Sequence, residues 1–390
     1  MNYLSFYFWF LFGLTCYGYV GYGLLIGLLN RIYRKKEREY TTQKQPTVSL
    51  VIAAYNELPY LKAKVQNCRE LDYPYLKIIF VTDGSTDTSA DFLRTQTGIV
   101  VHHVPERNGK MAAIDRVMPF IDSEITVFTD ANTFLNPEAI TQLVAPFQRA
   151  EVGVVAGEKK IARQMGHTTA AGEGLYWQYE SFLKKEDARF HSTIGAAGEL
   201  YAIRTHLHEP LEPDTLLDDF MLSLRICLKG YIIDYQPNAY AIETASVNSK
   251  EELKRKIRIC AGGFQSISRL PSLLLPWKTG LLSFQYISHR VLRWAVIPFA
   301  LPFLFFISYV LKQENTYLLL FILQCIFYFF AAIGWLIERL EWKKTLFYIP
   351  YYFVLMNYAA WIGLFRFSQN KQGVKWEKSE RSNVQILRET

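Results

Sequence analysis

The chain has 390 residues, half of them hydrophobic and 15% aromatic, and carries a formal net charge of +7, yet its mean hydropathy is only +0.04. That length accommodates one domain of about 200–250 residues plus further material, and the mixture argues for a soluble domain joined to membrane segments. The basic residues flank apolar stretches and do not cluster among aromatics, which excludes a general nucleic-acid binder and points to anionic lipid headgroups.

Residues 3–29 contain no charge and are followed by Arg31, Arg34, Lys35, Lys36 and Arg38. The stretch is long enough to span a bilayer and lacks the basic start of a cleaved signal peptide, so residues 1–30 read as an N-terminal transmembrane helix. The positive-inside rule places its N-terminus outside and residue 31 onward in the cytoplasm. A polar linker over 40–46 ends at Pro46. From Thr47 short apolar runs alternate with amphipathic stretches. Strands are predicted at 47–54, 77–82, 99–104 and 125–130, with helices near 58–69, 87–96, 109–119 and 136–148. Alternation of this kind predicts an α/β domain, over 46–270, with a mainly parallel sheet whose ligands bind at the carboxyl ends of the strands.

Residues 271–290 read as an interfacial helix. Apolar stretches near 292–311, 316–338 and 345–365 read as C-terminal transmembrane helices within 291–367, followed by a basic tail over 368–390. Three crossings from a cytoplasmic domain put that tail outside. Arg366, Lys371, Lys375, Lys378, Arg381 and Arg388 place it inside by the same charge rule. Either one stretch is re-entrant or half-inserted, or the tail is an exception. The five cysteines form no CxxC pair or Cys/His cluster, so a disulfide scaffold or structural zinc site is not expected.

The predicted strand ends carry the polar residues. The first runs into Ala54-Tyr55-Asn56-Glu57 and the second into Thr82-Asp83-Gly84-Ser85-Thr86-Asp87; in the second, Ser85 or Asp87 serves equally well as a helix cap. The fourth ends in Thr129-Asp130-Ala131-Asn132, where two oxygen ligands one residue apart either hold Mg²⁺ or Mn²⁺ against a diphosphate or cap the following helix. Lys110 follows Gly109 at a helix start that could face phosphate. Asp218 and Asp219 precede an apolar helix, as a general base or as an N-terminal cap. Arg258 sits on a basic helical stretch that is either a phosphate contact or a lipid-facing patch.

The order of these segments resembles the inverting family-two glycosyltransferases of GT-A fold, and most of all the membrane synthases of poly-N-acetylglucosamine, hyaluronan and cellulose. The resemblance covers residues 46–265 and extends to the flanking membrane segments. PTVSLVIAAYNE (46–57) resembles the strand that cups the nucleotide base, TDGSTD (82–87) the second motif, and NGKMAAID (108–115) the Gly-Lys motif. TDAN (129–132) stands at the Asp-x-Asp position, and GAAGELYAIR (195–204) resembles the Gly-rich acceptor-side loop. LDDF (217–220) stands at the base motif, and RKIRI (255–259) at Gln-x-x-Arg-Trp.

The resemblance implies a nucleotide-sugar donor, UDP-linked, held by Ala53, Tyr55, Glu57, Asp83, Lys110, Asp130 and Arg258. Asp219 is implied as catalytic base, Gly198 and Asp218 lie on the acceptor side, and Asp130 with Asn132 ligates Mg²⁺ or Mn²⁺. It further implies a polysaccharide or lipid-linked acceptor and a multi-pass plasma-membrane protein with a cytoplasmic catalytic domain. Three departures stand out: Asn132 replaces the second Asp of the metal motif, Asp218 replaces Glu, and Arg255 and Ile259 replace Gln and Trp. Without that ring to stack on the acceptor, single-sugar transfer to a lipid phosphate carrier is the alternative to polymerisation. A catalytically dead membrane sensor of sugar or nucleotide is the other. No GxGxxG follows the first strand, which argues against a dinucleotide-dependent oxidoreductase.

Overall fold

The structure is a computed structural model that describes residues 3–33, 45–162, 168–244, 249–339 and 345–373. The basic residues after Arg31, most of the linker and the tail beyond 373 lie outside these. The chain divides into two compact units. An α/β unit is drawn from 35–162 and 180–245, and a helical unit from 1–34, 163–179 and 246–372. Residues 163–179 and 246–270, expected inside the α/β domain, thus fall in the helical unit.

In the α/β unit the four expected strands form. They are β1 (Val48–Ala54), β2 (Leu76–Asp83), β3 (Val100–Val104) and β4 (Ile125–Asp130). Four more follow: β5 (Phe134–Leu135), β6 (Val152–Ile161), β7 (Leu200–Arg204) and β8 (Ile232–Glu243). All eight make one sheet in the order β3-β2-β1-β4-β7-β6-β8-β5. Pairing is parallel from β3 to β4 and between β6 and β8. It is antiparallel where β7 joins β4 and β6, and where β5 joins β8. The expected α/β fold with a mainly parallel sheet is therefore present, in mixed form.

The parallel half is buried on both faces, which is why its strands read as unbroken apolar runs. Leu50, Ile52, Phe80 and Val127 sit in one core with Leu61, Val65 and Leu143 of the flanking helices. Each such side chain contributes about 1.5–3 kcal/mol by leaving water. Helix Leu58–Arg69 starts on Pro59, where the missing N–H has no intrahelical partner to lose.

Among the described residues of the helical unit, three helices are long and apolar enough to cross a membrane: Tyr3–Ile32, Leu281–Val310 and Asn315–Glu338. The first two contain π-helical segments, Tyr17–Gly21 and Ile287–Val296. Over 271–290 the chain forms the short turns Pro271–Leu274 and Pro276–Thr279, bends at Gly280 (φ +56°), and enters the long helix at Leu281. The interfacial segment expected there is thus not one helix. Helices Ser249–Arg269 and Thr345–Ser368 and the first half of helix Thr168–Phe190 also belong to this unit.

Candidate active site

Parallel pairing brings the carboxyl ends of β1, β2 and β4 to one edge, with Ala53 opposite both Val81 and Asp130, and Ala54 opposite Thr82. Lys110 begins helix Lys110–Val117, and its Nζ meets Asp130 Oδ1 at 2.6 Å. Asp219 lies in the first turn of helix Asp218–Leu228. Gly198 closes the group: a Cβ there would stand 3.1 Å from Asp219 Oδ2 and 3.4 Å from Lys110 Nζ. The absent side chain lets the backbone approach both. Asp130, Lys110, Gly198, Asp218 and Asp219 are thus gathered, as the motif order implied.

These acids are crowded and dry. Burial, with Asp218 beside it, pushes Asp219 up to about 7, against the pull of Lys110. Burial also raises Asp130, against the pull of Lys110 and with Glu199 and Glu243 adding to the rise. Burial pulls Lys110 down, but Asp130, Asp218 and Asp219 outweigh it and hold the ammonium above its ordinary value. Asp115, in the helix that Lys110 begins, is pushed up to about 6 by burial and by Asp218. Two buried oxygens, Asn132 Oδ1 and Asp218 Oδ2, have no hydrogen-bond partner among the described residues. Unmet acceptors of this kind are costly in a folded interior. Among the described residues no group of three or more His, Cys, Asp or Glu could hold a metal by itself.

The end of β2 is different. Asp83 Oδ2 accepts from the N–H groups of Asn108 and Gly109, at 2.8 and 2.6 Å, and its Oδ1 pairs with Arg116 at 2.9 Å. Both oxygens, expected to face the donor, are engaged by the turn before helix Lys110–Val117 and by Arg116 within it. Asp87 accepts from Ser89 N–H and Leu58 N–H at two helix starts, so a helix-start role describes it, whereas Ser85 accepts from Asn56 N–H in the loop after β1 and caps no helix. Gly84 (φ +64°) leaves no room for a Cβ, which would fall 2.8 Å from the Arg107 backbone. Tyr55 lies beneath the Arg107 guanidinium at 3.9 Å. Glu57 is buried at the start of helix Leu58–Arg69. Arg258 belongs to the helical unit, on helix Ser249–Arg269. Trp177 lies in the same unit, 5.9 Å from Arg255 and 5.7 Å from Lys256; of Tyr176 only its place in helix Thr168–Phe190 is described.

Two groups were missed in the sequence. Lys64 is fully buried; its Nζ donates to Thr133 O at 2.6 Å, and Thr133 Oγ1 in turn donates to Asp130 O. It fixes the loop that displays Asp130 and Asn132. Its signal was a lysine on the helical stripe of Leu61, Val65 and Cys68. Lys159, at the centre of Glu199 and Glu243, anchors the residue after Gly198 and left no comparable signal.

With this geometry in hand, residues 49–209 match the family described as Glycosyl transferase family 2. The chain is 21% identical over 256 residues to Poly-beta-1,6-N-acetyl-D-glucosamine synthase of Staphylococcus aureus, covering 61% of each chain. It is 23% identical over 266 residues to Beta-monoglucosyldiacylglycerol synthase of a Nostoc species, covering 63% of this chain and 55% of that one. The match thus spans about three fifths of the length of these curated relatives. Among solved structures the fold is similar to mannosyltransferase PcManGT from Pyrobaculum calidifontis, determined in complex with GDP-Man and Mn²⁺. The TM-score is 0.70 at 20% identity, over 94% of this chain and all of that one.

Proposed function

We propose that this chain, which carries a family-two glycosyltransferase domain of GT-A fold, is a membrane-bound inverting glycosyltransferase. It moves a sugar from a nucleoside-diphosphate donor, UDP-linked, to a polysaccharide or lipid-linked acceptor. One observation carries the reading. An ammonium (Lys110) paired with Asp130 and a carboxyl raised by burial (Asp219) meet over the bare backbone of Gly198.

A carboxyl pushed up to about 7 is poised to accept a proton from an acceptor hydroxyl at neutral pH. Asp219 is assigned that role, with Asp218 keeping it basic. Lys110 is fixed before the reaction begins and supplies positive charge to the departing diphosphate. Asp83 acts one step removed, holding the Asn108–Gly109 turn that aims Lys110. The buried Asn132 Oδ1 without a partner, beside Asp130, fits a hard divalent cation completed by substrate phosphate oxygens. Mg²⁺ or Mn²⁺ held by these two residues would neutralise leaving-group charge. The three long apolar helices and the basic residues that follow the first support a multi-pass membrane protein whose α/β unit is cytoplasmic.

The test is a donor screen with the full chain in lipid nanodiscs, scoring nucleoside-diphosphate release. Release from a UDP-sugar that stops on chelation is expected. No release from any UDP- or GDP-sugar, with lipid and oligosaccharide acceptors supplied, rejects the reading. Ile259, where a stacking ring would serve a growing polymer, favours transfer of one sugar to a lipid-linked acceptor. A product of one added sugar supports that form, and a ladder of lengths removes it.

A further inference from the structure

Helix Thr345–Ser368 has 24 residues, as long as a span, and counting it as one produces the conflict over the basic tail. Its neighbours within the helical unit show how it runs. The three apolar helices meet at one end through Phe8, Leu304, Ile307, Leu311 and Tyr317, with Trp9 donating to the Tyr317 hydroxyl. Gly18 meets Ile297 at the midpoints of the first two helices, from which the first runs on to Arg31 and the second back to Arg293 and Arg290.

Along Thr345–Ser368, Phe347 packs on Phe330 and against Gly334. Phe353 reaches Tyr19 and Phe327. Asn357 Oδ1 accepts from the Tyr19 hydroxyl at 2.8 Å. Trp361 donates to Pro298 O at 3.1 Å and packs on Phe299. Phe367 stacks on Phe264. From Phe347 to Phe367 a helix advances about 30 Å, the thickness of the hydrocarbon core. Over that distance its partners on the apolar helices stay between the midpoints of all three, at Tyr19, Pro298 and Phe327, and the arginine-bearing ends.

The second neighbour is Ser249–Arg269, which has seven charged residues among its first ten. Its stripe of Leu253, Ile257 and Cys260 runs alongside: Leu253 against Tyr348, Tyr351, Tyr352 and Leu355, then Ile257 and Cys260 against Ala359 and Ala360. At Gly363 a Cβ would come within 2.6 Å of Cys260 Cβ. A helix with that charge density does not thread hydrocarbon, where each central charge costs about 2.5–3.5 kcal/mol on insertion scales. A helix lying alongside it shares its orientation.

We propose that Thr345–Ser368 is not a fourth span. It lies in the plane of the membrane, at the headgroup–acyl boundary of the leaflet on the Arg31 side. Ser249–Arg269 covers one flank, and phospholipid covers the exposed Leu346, Ile349, Tyr358, Trp361 and Phe365. Three crossings remain, the last two antiparallel, so the basic tail emerges on the same side as Arg31 and the charge conflict disappears.

The inference rests on the membrane-bound reading, and the test separates the two. Full-length protein with Cys16 and Cys325 replaced by serine is labelled with a nitroxide at Leu346→Cys, Ile349→Cys, Tyr358→Cys or Phe365→Cys. It is then reconstituted in phosphatidylethanolamine–phosphatidylglycerol vesicles. Depth is read from the ratio of oxygen to nickel-chelate accessibility. All four labels are expected within about one helical turn, 5 Å, of a common depth. A ladder of about 1.5 Å per residue, nearly 30 Å from first to last, overturns the proposal. An otherwise unaltered chain with a protease site after Gly373, in sealed vesicles, gives a second reading. Cleavage from the side of the segment after Tyr33 is expected, and cleavage from the side of Lys312–Glu314 overturns it. Protein that does not float with vesicles refutes the membrane-bound reading itself, whereas floating protein with a depth ladder refutes only the in-plane helix.

Discussion

Two strand ends lie on the same edge of the sheet with β1 between them, and both run from an apolar strand into acids. At the end of β2, both oxygens of Asp83 are engaged, by two backbone N–H groups and Arg116, and Asp87 binds helix starts. At the end of β4 and the facing helix Asp218–Leu228, Asp218 and Asn132 keep buried oxygens without partners, and Asp219 is pushed up to about 7. The same sequence pattern builds scaffold in one place and leaves buried, unmet acceptors in the other. What separates them is how much of each acid's hydrogen-bonding capacity the fold already uses.

The largest test of that contrast is Asp219→Asn. Turnover should fall by about 10²–10⁴-fold, the range for loss of a general base, with donor affinity nearly unchanged in equilibrium binding. The fold should gain from it: a carboxyl raised by burial favours its neutral form, so stability is lost as pH rises from the ordinary carboxylate range through about 7. The variant should therefore melt higher than the parent at pH 8 and equally at pH 4. Asp130→Ala comes next, lowering kcat/KM by on the order of 10²-fold through loss of leaving-group stabilisation. Donor binding in this variant should be indifferent to chelator, and retained chelator sensitivity would remove Asp130 as a ligand.

Asp83→Asn should cost about 1–3 kcal/mol in denaturant unfolding, because it weakens the bonds that a buried carboxylate makes to two backbone N–H groups and Arg116. A loss of activity without loss of stability would move Asp83 from the scaffold to the reaction. Asp218→Asn removes the like charge that helps hold Asp219 up, so the rising limb of the pH–rate profile should move to lower pH. An unmoved limb would detach Asp218 from the base. Asp87→Ala should be mildest, at about 1 kcal/mol for a lost cap, with kcat unchanged.

The sequence made β1 to β4 legible because strands buried on both faces are written as apolar runs. It concealed β8 because Pro237 interrupts it. The chain there bulges between Gln236 and Tyr240, which pair with the adjacent Gly157 and Glu158, and a proline within a run argues against a strand. The convergence of Lys110, Asp130 and Asp219 was legible from motif order alone. The engagement of Asp83 was not, since its partners are backbone N–H groups that carry no residue identity. Nor was the course of Thr345–Ser368, because hydropathy registers how apolar a segment is and not which neighbours its length runs beside.

The Lys110–Asp130 pair has one more consequence. It gives the proposed donor site its own counter-ion beside Asp130. On the proposed function, loading would be an exchange in which Lys110 surrenders the carboxylate as phosphate arrives to receive it. Ion and nucleotide should therefore enter together: either alone binds weakly, each strengthens the other by the same factor, and calorimetric titration of the metal without nucleotide should be nearly silent.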